Sequence, residues 1–226
     1  MNDSQSLVLL MSTAALLGAG HTIIAPHHYL PFAAVGKSAG WSNAKTLFVT
    51  LLCGFGHLAS SLVFAGIAVA LTFGAASVEY FQHFRGDIAQ FVFLGFALAY
   101  TIFGLKRGLR SDADAACSCH CHAEDKIKNA ATLGALFLIF LIGPCDVLIP
   151  LVILPALSFD WWGVLLVACV FSLATIASML LMVAVILYGL KFVPFRGGKL
   201  ERWSSFITGA VLLVCALMMF AHNHAH

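Results

Sequence analysis

The chain has 226 residues, 61% of them hydrophobic and only 10% charged, with a formal net charge of +2. Soluble domains average about 25% charged residues, so a soluble domain is excluded and a polytopic, all-α membrane protein is expected. The small positive charge is no pointer to nucleic acid, because the basic residues sit between apolar runs.

A membrane-crossing helix needs about 20 apolar residues. Six runs qualify: 7–36, 43–73, 87–109, 128–157, 161–190 and 203–221. The N-terminus, Met1-Asn2-Asp3-Ser4-Gln5, lacks the positive region of a cleaved signal, so the first run is expected to stay as a span. That run contains Gly20-His21-Thr22-Ile23-Ile24-Ala25-Pro26-His27-His28-Tyr29-Leu30-Pro31-Phe32. A histidine is costly to place in lipid, and a proline removes a helical hydrogen bond. Together they predict a broken helix that lines a polar cavity. The second run carries Gly54-Phe55-Gly56-His57 among small residues suited to close helix packing.

The link between the third and fourth runs holds Cys117-Ser118-Cys119-His120-Cys121-His122. Alternating thiolates and imidazoles can wrap a soft or borderline metal ion, and in a reducing cytoplasm the cysteines stay as thiols. The fourth run holds Gly143-Pro144-Cys145-Asp146-Val147-Leu148-Ile149-Pro150. Pro144 suits the first turn of a half-helix, whose N-terminus favours a thiolate at Cys145 and a carboxylate at Asp146. Cys53, Cys169 and Cys215 read as small core residues. The tail, His222-Asn223-His224-Ala225-His226, is a further candidate metal-binding tract.

A shift of 118 positions lays Pro26 on Pro144, His27 on Cys145, His28 on Asp146 and His57 on Thr175. Each half then has three spans, an odd number, so the halves have opposite orientations, as in inverted-repeat transporters. The expected fold is two inverted three-helix repeats, residues 1–110 and 127–226, with helices 1 and 4 broken. A cytoplasmic Cys/His-rich loop at 111–126 joins them. All but Arg85 of the 12 lysines and arginines lie in alternate loops. By the positive-inside rule both termini face away from the cytoplasm, in a multi-pass plasma-membrane (inner-membrane) protein.

The run from His21 to His28, followed by Leu30-Pro31-Phe32, resembles the H-x5-D-H signature of the HupE/UreJ-type nickel/cobalt permeases, with His27 in place of the aspartate. It is also similar to nickel/cobalt-efflux (urease-accessory-like) proteins of the lysine-exporter superfamily, several of which carry a glycine-histidine element like Gly56-His57. Gly143-Pro144-Cys145-Asp146 resembles instead the thiol-disulfide membrane carriers of cytochrome c maturation, although His27 stands where their second cysteine belongs.

The resemblance and the residues together imply a transporter, not an enzyme. Its substrate would be a divalent transition-metal ion (nickel, cobalt or zinc), and no organic cofactor is expected. The expected site is His21, His27, His28, His57, Cys145 and Asp146 near the midplane, supported by Pro26, Pro31, Pro144, Pro150 and Thr175. Cys117, Cys119, His120, Cys121 and His122 in the loop, and His222, His224 and His226 in the tail, would collect or sense metal. Expected partners are membrane lipid and the ion, not nucleic acid, with a homo-oligomer or a metallochaperone left open. Two alternatives remain: a thiol-disulfide carrier pairing Cys145 with a cysteine such as Cys53, and an exporter of a small anion such as sulfite.

Overall fold

A computed structural model describes residues 3–70, 75–109, 121–143, 145, 147–148, 151, 161–190 and 198–223. Among these residues the chain is helical, without strands. Helix α1 (Asp3–Ile24) leads through a 3-10 turn (Pro26–His28) into the short α2 (Leu30–Ser38). Then follow α3 (Asn43–Ala70), α4 (Ala75–Leu109), α5 (Cys121–Ile142), α6 (Trp161–Gly189) and α7 (Gly198–Asn223).

Five of the described helices are long and apolar enough to cross a membrane: Ser6–Ile24, Asn43–Ile67, His83–Lys106, Trp162–Gly189 and Trp203–Ala221. Among the described residues the fourth expected span, 128–157, is represented by the shorter apolar stretch Ala130–Ile142. Two stretches read from the sequence as links are helical instead. Residues 79–85 belong to α4, because nothing between Ala75 and Arg85 breaks a helix. Cys121 to Lys126, expected in the loop, open α5, where Glu124 and Lys128 sit at the favourable i, i+4 spacing.

The surface is apolar where a membrane would meet it. Leu16, Ile24, Phe48, Phe55 and Leu173 are all well exposed, whereas Thr22, Thr46, Thr50, Ser61 and Thr175 are buried. Small residues set the crossings. Helices α4 and α7 run antiparallel, with a register that pairs Gln90 with Met219, Thr101 with Gly209 and Gly104 with Phe206. A Cβ on Gly104 would stand 2.5 Å from the Phe206 nitrogen, and one on Gly209 would stand 2.5 Å from Thr101 Cα. Gly18 likewise brings α1 close to α6, at Phe171 and Thr175. Helix α2 ends in a Schellman turn: Gly40 adopts φ +66° and Trp41 N–H donates to the Gly36 carbonyl at 2.8 Å.

Among the described residues most buried apolar side chains fall into two clusters. One joins Tyr29, Phe32 and Phe140 to Val49 and Cys53 of α3 and Met179 and Val183 of α6. The other joins Ala14 to Leu58 and Ala65 of α3, Cys145, and Val164, Val167 and Phe171 of α6. The first half of α3 therefore meets the second half of α6, and the two helices are antiparallel. Along the chain, the residues between the clusters are His21 to His28, His57, Gly143 and Thr175. A polar layer divides the core.

Candidate functional site

The break in α1 makes the site. The last helical bond of α1 runs from Ala25 N–H to the His21 carbonyl at 3.0 Å. Pro26 has no N–H to continue the ladder. The chain tightens instead, with His28 N–H donating to the Ala25 carbonyl at 3.1 Å and Tyr29 N–H to that of Pro26 at 3.2 Å. Tyr29 Oη turns back to donate to the Ile23 carbonyl at 3.2 Å, so one of the carbonyls left open at the helix end is met inside the protein.

This turn folds His28 onto His21. On an unbroken helix the two would stand about 10 Å apart along the axis; here their Nε2 atoms are 3.1 Å apart. One of the facing nitrogens must donate a proton to the other, or both must face a cation. Two nitrogens each about 2.0–2.1 Å from a tetrahedral ion stand roughly 3.3 Å apart, so the pair has the right spacing for either. The His27 ring lies 4.4 Å from that of His28, and the His57 ring 5.5 Å from it, between centroids. His28 and His57 are buried.

His57 is held from α5. Its Nδ1 lies 3.0 Å from the Phe140 carbonyl. A carbonyl only accepts, so Nδ1 carries the proton and Nε2 keeps its lone pair. Metal-binding histidines are commonly oriented by such a bond on the second nitrogen. Among the described residues neither His57 Nε2 nor His28 Nδ1 has a hydrogen-bond partner.

The end of α5 is closed in the same way as that of α1. The Ile139 carbonyl accepts from Gly143 N–H at 3.0 Å, Phe140 from His57, and Leu141 from Arg85 Nη2 at 3.5 Å. Arg85 is buried, with its guanidinium 4.0 Å from the Phe64 ring centroid and Nη2 3.5 Å from Ser60 Oγ. His57 and Arg85 thus bind consecutive carbonyls of one helix terminus, where cationic or donor side chains are favoured.

No family model matches the chain, and no curated protein or solved structure shows significant similarity to it.

The expected site is gathered in part. His21, His27, His28 and His57 come together, with Gly143 beside His57. Cys145 is buried among the apolar side chains of the second cluster. Asp146, Pro144 and Pro150 lie outside the described residues, as do Cys117, Cys119 and His120 of the loop and His224 and His226 of the tail. Cys121 and His122 fall in the first turn of α5, and His222 in the last turn of α7. Among the described residues no three His, Cys, Asp or Glu side chains are arranged as they stand to hold a metal ion. The rings touch, but their nitrogens do not converge on one point.

Three participants were not singled out from the sequence. Arg85 stood out only as the one basic residue on its side. Ser61, four residues after His57, carried the helical spacing that puts it on the same face. Ser172 had the same relation to Thr175, three residues earlier.

Proposed function

We propose that this protein is an integral membrane transporter of a divalent transition-metal ion of the nickel, cobalt or zinc type. The observation that carries this reading is the 3.1 Å approach of His21 and His28 Nε2, in a polar layer inside an apolar helical bundle. His28 and His57 offer further nitrogens, and Cys145 and Asp146 follow the end of α5 in sequence. A modest rearrangement of the rings would be needed for three of them to share one ion. Borderline divalent ions favour imidazole and thiolate, and desolvated histidines in a membrane are expensive without a ligand.

The helix pairing supports two inverted repeats. Under the 118-residue shift, the α1–α6 contact corresponds to the α3–α5 contact, while α3–α6 and α4–α7 map onto themselves; all four pairs pack together. The charge asymmetry of the loops supports a plasma-membrane protein with both termini extracytoplasmic. The likeness of the His21–His28 run to nickel/cobalt permeases points the same way.

Purified protein in proteoliposomes should move Ni²⁺, Co²⁺ or Zn²⁺, and His28→Ala should abolish this while leaving folded yield intact. A His28→Ala variant that transports as the parent does would overturn the reading.

Buried Arg85 favours a second reading, an exporter of a small anion such as sulfite, since a fixed positive charge near the layer attracts anions. Arg85→Gln separates the two: it removes anion flux in the second reading and spares cation flux in the first. The thiol-disulfide alternative draws no such support, because Cys53 and Cys145 belong to different apolar clusters.

A further inference from the structure

Serine and threonine in a helix usually return their hydroxyl proton to the carbonyl four residues back. Ser12, Thr13, Thr22, Thr46, Thr50 and Thr101 all do so here, at 2.7–3.1 Å. Others bond the carbonyl three back or, as Thr208 does at Ala34, one across the bundle, but three find none. Ser61 Oγ on α3, and Ser172 Oγ and Thr175 Oγ1 on α6, are buried and have no hydrogen-bond partner among the described residues. Ser61 is 0% and Thr175 1% exposed. In hydrocarbon an unmet hydroxyl is expensive, and the backbone carbonyl that would relieve it is within reach of each. None of the three makes that bond.

The three also share a location. Ser61 lies one turn beyond His57 on α3, and Ser172 one turn before Thr175 on α6. Because α3 and α6 are antiparallel, the steps from His57 to Ser61 and from Thr175 to Ser172 run from the histidine layer in the same direction, towards the Ala65 and Val164 end of the bundle. At Gly18 the backbone of α1 closes on Thr175, where a Cβ would come within 2.9 Å of Oγ1. His57 Nε2 and His28 Nδ1 are likewise buried without partners among the described residues.

We propose that Ser61, Ser172 and Thr175 line a hydrated track that leads from the histidine cluster to the extracytoplasmic face. Its ligand is water, either alone or as the remaining shell of a divalent cation entering or leaving the histidines. The direction rests on the orientation and the cation reading given above; the track itself does not. Water satisfies each hydroxyl without drawing it back to its own helix. A hydroxyl wall suits a cation that has shed part of its shell, since neutral oxygens replace lost water without trapping the ion.

The test places cysteine at each position in turn, Ser61→Cys, Ser172→Cys and Thr175→Cys, in the full chain in proteoliposomes. A small cationic methanethiosulfonate is added, and each cysteine is read separately by mass spectrometry, so the native thiols stay in place. Leu173→Cys, on the exposed apolar face, serves as the lipid-facing control. The three track positions should react at least about tenfold faster than position 173, because only a hydrated thiol ionises. Reagent outside should reach them first, and Ni²⁺ or Zn²⁺ should slow reaction at position 175. If all three are as inert as position 173, no hydrated track exists, whatever the protein transports. If they react but neither ion protects position 175, the track stands and the cation reading falls. If they react only with reagent inside, the direction is reversed and the extracytoplasmic assignment is wrong. Should Thr175→Cys fail to fold, positions 61 and 172 decide the track, and flux decides its link to the ion. Thr175→Val should then lower flux tenfold or more and Thr175→Ser restore it; equal flux in both would remove Thr175 from the path.

Discussion

The imidazole of His57 on α3 bonds the Phe140 carbonyl on α5 at 3.0 Å, so one side chain both closes a helix terminus and fixes its own tautomer. The two duties separate on mutation. His57→Asn retains an amide N–H near the position of Nδ1 and should keep the α5 terminus satisfied, yet it loses Nε2. His57→Ala loses both, and leaving the buried carbonyl without its donor costs about 1–3 kcal/mol. We expect both variants to lose metal binding by about 10- to 100-fold, on the scale of ligand and supporting-shell changes. Only His57→Ala should also lower the thermal midpoint in detergent. Calorimetric titration beside thermal unfolding checks this, and normal binding by His57→Asn would remove Nε2 from the site.

The α4–α7 crossing should be the least tolerant contact in the bundle. A Cβ on Gly104 or Gly209 would lie within about 2.5 Å of backbone atoms, which cannot swing aside as a side chain can. Gly104→Ala should cost on the order of 1–3 kcal/mol, the range for overpacking a filled interface, and Gly104→Val more. Gly95, with open space around its Cβ position, is the control: Gly95→Ala should be neutral in the same thermal assay.

Much of the architecture was legible because its signals are local. Apolar length marked the spans, and Pro26 marked the break, since the missing N–H needs no tertiary context. The approach of His28 to His21 was legible only in part: a break at Pro26 could shorten the separation of an unbroken helix, but how closely depends on the 3-10 turn and on Tyr29 reaching back to Ile23. Arg85 was read as the end of a link because the third apolar run begins only at residue 87. Only the packing of α3 against α5 and α4 shows a carbonyl and the Phe64 ring waiting for it. Hydroxyl orientation is invisible in sequence for a different reason. A helical serine can bond its own backbone or turn inward at similar local energy, and its neighbours across the bundle decide.

Orientation yields a third expectation. Since all basic residues but Arg85 lie in alternate links, Cys117 should be labelled by an impermeant thiol reagent only from the cytoplasmic side. Buried Arg85 cannot act as a retained loop charge, which strengthens the asymmetry rather than weakening it. Labelling of Cys117 in intact cells would reverse the topology.

The last expectation concerns the break itself. In Pro26→Ala a backbone N–H returns at position 26 and the ring no longer clashes with the preceding turn, so α1 can continue towards α2. Continuation would carry His28 to about 10 Å from His21 along the axis, at 1.5 Å per residue. The variant should be no less helical and should fold, because the restored bonds replace the 3-10 turn. It should nevertheless lose metal affinity by at least about tenfold, a change near 1.4 kcal/mol. Pairing Pro26→Ala with His21→Ala sharpens the test. If the two histidines act as one unit, the double variant should bind no worse than His21→Ala alone, because the turn has nothing left to bring together. Additive losses would mean that Pro26 serves the site by some route other than the His21–His28 approach.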